Sequence, residues 1–409
     1  MAETEQPNNR DIKENADSAV HIPTAIWVLG FVSLLMDVSS ELIHSLLPAF
    51  LVSVLGASAT VVGLIEGAAE SLALIVKVFS GVLSDYLGKR KVLAVAGYGL
   101  GALSKPLFAL AASSGMVLFA RLIDRTGKGI RGAPRDALVA DLAPPGLRGA
   151  AFGLRQSLDT VGAFLGPLLA IIFMLLWADN FRAVFWIAVI PAFLAVALLL
   201  FGVREPEHHH DGKRSNPISK DKLRQLSRAY WWVVTFGTVF ALARFSEAFL
   251  VLRAQQSGLA LAWIPLVFVV MNIVYALSAY PFGKLADNIS RTSLLQAGIW
   301  TLIGADLFLA TDDQLTSVFI GIVLWGLHMG LTQGLLAAMI ADTAPADLRG
   351  TAYGFFNLCS GIAMLVASVL AGELWDQLGA SYTFYAGVLF SVLALILLVL
   401  SERRLNRPW

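Results

Sequence analysis

Several stretches of this chain run for at least 21 residues without one charged side chain, among them 183–203, 254–283, 350–372 and 377–401. An apolar helix of about 20 residues spans the hydrocarbon core of a bilayer. No water is available there to satisfy backbone N–H and C=O groups, so a spanning segment must be a helix or part of a closed barrel. Uninterrupted apolar runs of this length belong to helices. The rest of the sequence agrees, with 57% hydrophobic and only 14% charged residues, against about 25% charged in soluble domains.

Twelve spans are predicted, at 25–52, 59–83, 92–112, 116–140, 150–176, 183–203, 229–253, 262–284, 293–310, 316–341, 350–371 and 382–400. The expected organisation is a tail (1–23), a six-helix bundle (24–203), a polar linker (204–228), a second six-helix bundle (229–400) and a short tail (401–409). The first 23 residues carry five acids and lack the basic start and apolar core of a cleavable signal. Lys and Arg favour the cytoplasmic side of short loops. Placing both termini there collects Lys89, Arg90, Lys91, Arg148, Lys284, Arg291, Arg349 and the basic linker on one side. The expectation is therefore a multi-pass protein of the inner (plasma) membrane with cytoplasmic termini. A net charge of +1 offers nothing to nucleic acid. A lone cysteine, Cys359, excludes a disulfide framework and a multi-cysteine metal site. No nucleophile–base constellation suggests an enzyme, and neither cofactor nor metal is expected.

The halves repeat. Residues 140–149 read ADLAPPGLRG and residues 341–350 read ADTAPADLRG, an offset of 201. Gly81-x-Leu83-x-Asp85 recurs as Gly283-x-Leu285-x-Asp287. Parallel repeats of this kind place a substrate site near the midplane, between the halves.

The stretch Gly81-Val-Leu-Ser-Asp85-Tyr-Leu-Gly88-Lys89-Arg90-Lys91 resembles the loop 2–3 signature of the major facilitator superfamily. With twelve spans and the 6+6 repeat, the resemblance covers the chain from about residue 25. It implies the major facilitator fold, and a conformational latch at Gly81, Asp85, Gly88, Lys89 and Arg90. The second copy, at Asp287 and Arg291, is degenerate, with Ser290 in the glycine position. In the fifth span, Gly162-Ala-Phe-Leu-Gly166-Pro167 resembles the motif of drug/proton antiporters in that superfamily, and implies export. A third signature is approximate: Arg121 precedes Gly127 and Gly129, with Arg125 between.

Ionised groups at membrane depth are costly, and mark functional sites by default. Arg121, Arg125, Lys128 and Arg135 follow steps of 4, 3 and 7, one face of a helix. Asp37, Glu41 and His44 share a face of the first span, Glu66 and Glu70 one of the second, and Arg155 and Asp159 one of the fifth. The proton-coupling candidates are Asp37, Glu41, Glu66, Glu70, Asp124 and Asp159. The substrate-cavity candidates are His44, Arg121, Arg125, Lys128, Arg135, Asp136, Arg155, Arg244, Asn272, His328, Gln333 and Asn357. The same pairs could instead hold the six-helix half together as static ties.

The expected function is alternating-access, proton-coupled export of a small organic solute by a monomer, with the solute, protons and the bilayer as partners. A carrier of an organic anion or metabolite in either direction stands as an alternative. A transporter-like receptor that does not translocate is a third possibility.

Overall fold

The computed structural model describes residues 21–87, 89–205, 223–286, 288–332, 334–345 and 348–405. All regular structure among them is helical. Twelve helical spans follow in order. The first half holds α1 (Thr24–His44, resuming at Leu47–Ser53), α2 (Ala59–Leu87), α3 (Arg90–Leu110), α4 (Ser114–Leu142), α5 (Arg148–Leu176) and α6 (Phe181–Gly202). The second holds α7 (Arg228–Ala243, resuming at Ala248–Gln256), α8 (Leu266–Leu285), α9 (Arg291–Thr311), α10 (Leu315–Thr332, resuming at Leu335–Thr343), α11 (Arg349–Leu378) and α12 (Ala380–Leu405). Each expected span lies on one of them.

Eleven of the twelve are long and apolar enough to cross a membrane by composition alone. The exception is α4, whose 29 residues carry five bases and three acids. Its crossing depends on partners supplied by its neighbours. Several helices start on side-chain caps that satisfy a free N–H. Ser113 accepts from Met116 N in α4, Asn180 from Ala183 N in α6, Ser227 from Tyr230 N in α7 and Ser290 from Ser293 N in α9.

Helix packing repeats between the halves. In the first, α1 packs on α5 and α6, α3 on α4 and α6, and α2 on α4. In the second, α7 packs on α11 and α12, α9 on α10 and α12, and α8 on α10. The halves meet chiefly along α2 and α11, and less extensively along α5 and α8. Odd-numbered helices begin, and even-numbered ones end, at the face where α1 begins and α12 ends. We call this the terminal face, and the opposite one the far face.

Three spans are broken. The break in α1, at Ser45–Leu46, and that in α7, at Arg244–Glu247, place Ser45 and Ser246 at the repeat offset of 201. In α10, Gly334 restarts the helix at φ +74°, a left-handed conformation that glycine adopts without steric cost.

Candidate functional site

The far face is sealed between the halves. Asp376 of α11 accepts hydrogen bonds from Ala59 N (3.0 Å), Thr60 N (2.8 Å) and Thr60 Oγ1 (2.6 Å) at the start of α2. Gln255 Nε2 of α7 donates to Ser53 Oγ of α1 at 2.7 Å. Below these contacts α2 and α11 touch backbone to backbone. A Cβ on Gly63 would stand 2.0 Å from the Ser368 carbonyl oxygen, and one on Gly372 would stand 2.5 Å from Ala59 O. Small residues of this kind let membrane helices approach closely.

The interior opens toward the terminal face. One cavity of 780 Å³ is lined by the lower halves of α1, α2, α4, α5 and α8, among them Asp37, Lys77, Lys128, Arg135, Asp159 and Tyr275. A second, of 430 Å³, lies deeper, against the α7 break. The two share Glu41, Glu70, Leu74, Lys128, Ala163 and Asn272, and so form one continuous space. The first half contributes mostly charge to the deep part. The second contributes Phe240, Phe245, Phe268, Trp325 and Phe356, together with Arg244 and Glu247.

Charges of the first half are paired in layers. Arg121 Nη2 donates to Glu66 Oε2 at 2.5 Å, and Arg125 Nη2 lies 3.1 Å from Glu70 Oε1. Each pair joins α4 to α2, one helical turn apart. Lys105 Nζ of α3 donates to Asp124 Oδ1 at 2.7 Å and to Ser40 Oγ at 3.0 Å. Toward the terminal face, Arg155 donates to Asp159 at 2.7 Å, while Arg135 reaches Ser33 Oγ at 3.1 Å and Asp136 at 3.2 Å. Arg131 lies over the Tyr98 ring, 4.8 Å from its centroid. These contacts provide the compensation that a basic α4 requires in a bilayer.

At the bottom of the deep cavity, His44 stands between two carboxylates. Its Nδ1 is 3.4 Å from Glu41 Oε2 and its Nε2 is 3.5 Å from Glu66 Oε2. The ring rests on Phe268, with centroids 5.0 Å apart.

Most expected site residues therefore converge. Asp37, Glu41, His44, Glu66, Glu70, Arg125, Lys128, Arg135, Asp136, Asp159, Arg244, Asn272 and Asn357 line the cavity. Arg121, Asp124 and Arg155 are buried directly behind it. His328 is placed elsewhere: fully buried, it donates from Nδ1 to Gly298 O at 2.8 Å and packs edge-on against the far side of Phe240. Gln333, Gly88 and Asp287 lie outside the described residues, as does the side chain of Asp85. Arg90 pairs with Asp141, and Arg291 with Asp342, each within its own half. These two pairs stand 201 residues apart, so the repeated Ala-Asp dipeptide supplies a carboxylate to the repeated arginine. Exposed Lys89 precedes α3, and Gly81 faces Ala133 of α4. Gly162 and Gly166 press α5 against α1: a Cβ at either position would lie 3.0 Å from Asp37 Cβ or 2.5 Å from Glu41 Cβ. Pro167 lies buried within α5.

Sequence reasoning did not place Lys77, Arg131 and Glu247 at the cavity, nor find Tyr98 and Asp376. Glu247 had a legible signal, three residues from Arg244. Tyr98 had none. Asp306 of α9 is fully buried with neither carboxylate oxygen hydrogen-bonded.

The model of the Major Facilitator Superfamily matches residues 29–271 and 248–408. The chain belongs to that superfamily. It is a multi-pass membrane transporter by family. An uncharacterised MFS-type transporter of Methanocaldococcus jannaschii is 32% identical over 397 residues, covering 95% of this chain and 98% of the relative. The inner membrane transport protein YajR of Escherichia coli is 23% identical over 380 residues, 90% of this chain and 81% of the relative. Among solved structures, the nucleoside transporter NupG superposes with a TM-score of 0.71 at 13% identity, covering 94% of this chain and 100% of that one. The human organic anion transporter MFSD10 superposes with a TM-score of 0.64 at 18% identity, covering 92% and 99%. At such identities the likeness is one of fold.

Proposed function

We propose that this superfamily member exports a small organic solute in exchange for protons, by alternating access, with its terminal face toward the cytoplasm. The observation that carries the reading is the continuous cavity, open at the terminal face and closed at the far face, with titratable side chains at its deep end. Rocking one half against the other would expose the same side chains to the opposite compartment. Desolvation and neighbouring charge change as the halves move, and such changes shift proton affinity. The basic terminal-face loops support cytoplasmic termini. The tight seat of Gly162 and Gly166 on the carboxylate-bearing face of α1 supports the antiporter likeness of that motif.

A second reading follows from two cations. Lys128 and Arg244 face the deep cavity with no carboxylate within 4 Å among the described residues. They suit a solute with an anionic group. The sign of the coupling separates the readings. A proton and an anion favour each other's binding and travel together, whereas a proton that competes with the solute is exchanged for it.

The test begins with a thermal-shift screen of the purified protein over dyes, antibiotics and organic acids. Hits are then offered to proteoliposomes carrying an imposed pH gradient and an internal pH dye. Export by antiport predicts proton movement opposite to the solute. Flux that ignores the gradient would refute coupling, and proton movement with the solute would select the anion reading. Lys128→Gln and Arg244→Gln should lower the affinity for an anionic hit at least tenfold, at ~1.4 kcal/mol for each tenfold change.

A further inference from the structure

The cavity wall holds seven acids and a single imidazole, and the imidazole occupies the least ordinary position. His44 has 12% of its side chain exposed to the cavity, and each ring nitrogen lies within 3.5 Å of a different carboxylate. A neutral imidazole has one N–H and one lone pair. It can donate to Glu41 or to Glu66, but its lone pair then faces the other carboxylate. An imidazolium donates to both. The two carboxylates differ in what else holds them. Glu66 is bound by Arg121 at 2.5 Å and is 1% exposed. Glu41 has no base other than His44 within 4 Å among the described residues, and is 22% exposed. Loss of a proton from His44 therefore leaves Glu66 neutralised, and Glu41 as a bare carboxylate at the cavity wall.

We propose that His44 carries the coupled proton, taking it up on the ring and returning it to cavity water, with Glu66–Arg121 as its fixed support and Glu41 as the charge that the proton covers or uncovers. The assignment rests on the proton-coupled reading above and holds for either sign of coupling. Proton balance is simple: one ring nitrogen binds H⁺ from water on one side of the membrane, and the same nitrogen releases it to water on the other. Charged groups face this ring from every side. Glu41 comes from its own helix, Glu66 and Glu70 from α2, Arg121, Arg125 and Lys128 from α4, and Arg244 and Glu247 from α7; α8 supplies the uncharged Phe268. The break after His44, at Ser45–Leu46, puts the ring at the end of a helical segment, on the wall of the deep cavity. The acids Asp124 and Asp159 are less free to exchange. Asp124 is fixed by Lys105 and Ser104, and Asp159 by Arg155.

The test needs no transported solute, because the proton itself is the probe. Spin labels are placed on the far face at positions 110 and 378, in a chain with Cys359→Ser, and the distance between them is followed from pH 5 to pH 9. Linkage to one proton changes the open-to-closed ratio by up to about tenfold per pH unit. The wild-type chain is expected to show that change, and a folded His44→Gln chain is expected to hold one ratio throughout. A His44→Gln chain that follows pH as the wild type does would overturn the assignment. A wild-type chain that ignores pH would instead overturn the proton-coupled reading. A second measurement avoids that substitution. With His21 and His208–His210 changed to Gln, ¹⁵N-histidine spectra contain only His44 and His328. One ring with both nitrogens protonated at the acid end, becoming neutral as pH rises, is the expected result. Two rings that stay neutral from pH 5 to pH 9 would refute the proposal.

Discussion

Gly63→Ala adds one methyl group at the place where the halves touch most closely. The new Cβ would lie 2.0 Å from the Ser368 carbonyl oxygen, whereas close carbon–oxygen contacts settle at about 3.3 Å. The obstructing atom is backbone within α11, so no rotamer change relieves it. The helices must part by about 1.3 Å at that level, the difference between these distances. A gap of even 0.5–1 Å forfeits about a quarter to a half of each affected contact, and overpacking a close-packed site costs about 1–3 kcal/mol. Only the conformation in which α2 and α11 meet at the far face bears that cost. Taking about 2 kcal/mol, the closed-to-open ratio at the far face should fall roughly 30-fold. Spin labels at positions 110 and 378 report the far face, and labels at 92 and 280 the terminal face. All four positions carry exposed side chains. The far-face distances should lengthen and the terminal-face distances shorten, while Gly99→Ala, whose Cβ meets nothing within 4 Å, should change neither. Distance distributions identical to the wild type would refute the view that glycine contact between α2 and α11 closes this face.

Asp376→Ala removes the acceptor for three cross-half hydrogen bonds at the start of α2. Because the site is largely exposed, about 1–2 kcal/mol is expected, a shift of roughly tenfold in the same direction, read with the same labels. Glu66→Gln leaves Arg121 buried without its carboxylate, and should cost about 3 kcal/mol or more of stability. Thermal unfolding in detergent measures the loss, and the pair exchange Glu66→Leu with Arg121→Met should recover most of it.

Periodicity made the helices and the charged face of α4 legible, because a 3.6-residue repeat projects directly into space. It also held the pairing of that face. Glu66 and Glu70 are spaced like Arg121 and Arg125, and α2 and α4 run in the same direction, so one offset of 55 residues joins both rungs. The breaks in α1 and α7 differ in what the sequence shows. Pro48 stands in the first turn of the resumed part of α1; it has no N–H for the His44 carbonyl and clashes with it, a local reason for the break at Ser45–Leu46. Residues Arg244–Glu247 contain neither proline nor glycine, and tertiary contacts hold that bend, such as Ser368 Oγ accepting from Ser246 N at 3.1 Å. His328 illustrates the opposite failure. A polar residue in mid-span suggests a cavity, yet Nδ1 of this ring bonds the Gly298 carbonyl inside the second bundle, and its Nε2 is buried without a hydrogen-bond partner.

The uneven distribution of charge follows from what a rocking mechanism must preserve. Among the described residues, every ion pair around the cavity lies within the first half, and none crosses to the second. Breaking a buried pair costs several kcal/mol, which would trap a transporter in one conformation if the pair bridged the moving parts. Contained in one half, the same pairs move as a rigid body and cost nothing on each cycle. The contacts that do cross include backbone against glycine, the Asp376 carboxylate on two N–H groups and a hydroxyl at the start of α2, the Gln255–Ser53 hydrogen bond and the His44–Phe268 ring contact. Water can replace these polar contacts when the far face opens. The single imidazole between Glu41 and Glu66 stands where the rigid charge network meets the cavity. A proton gained or lost there changes the charge on the wall without dismantling the network behind it.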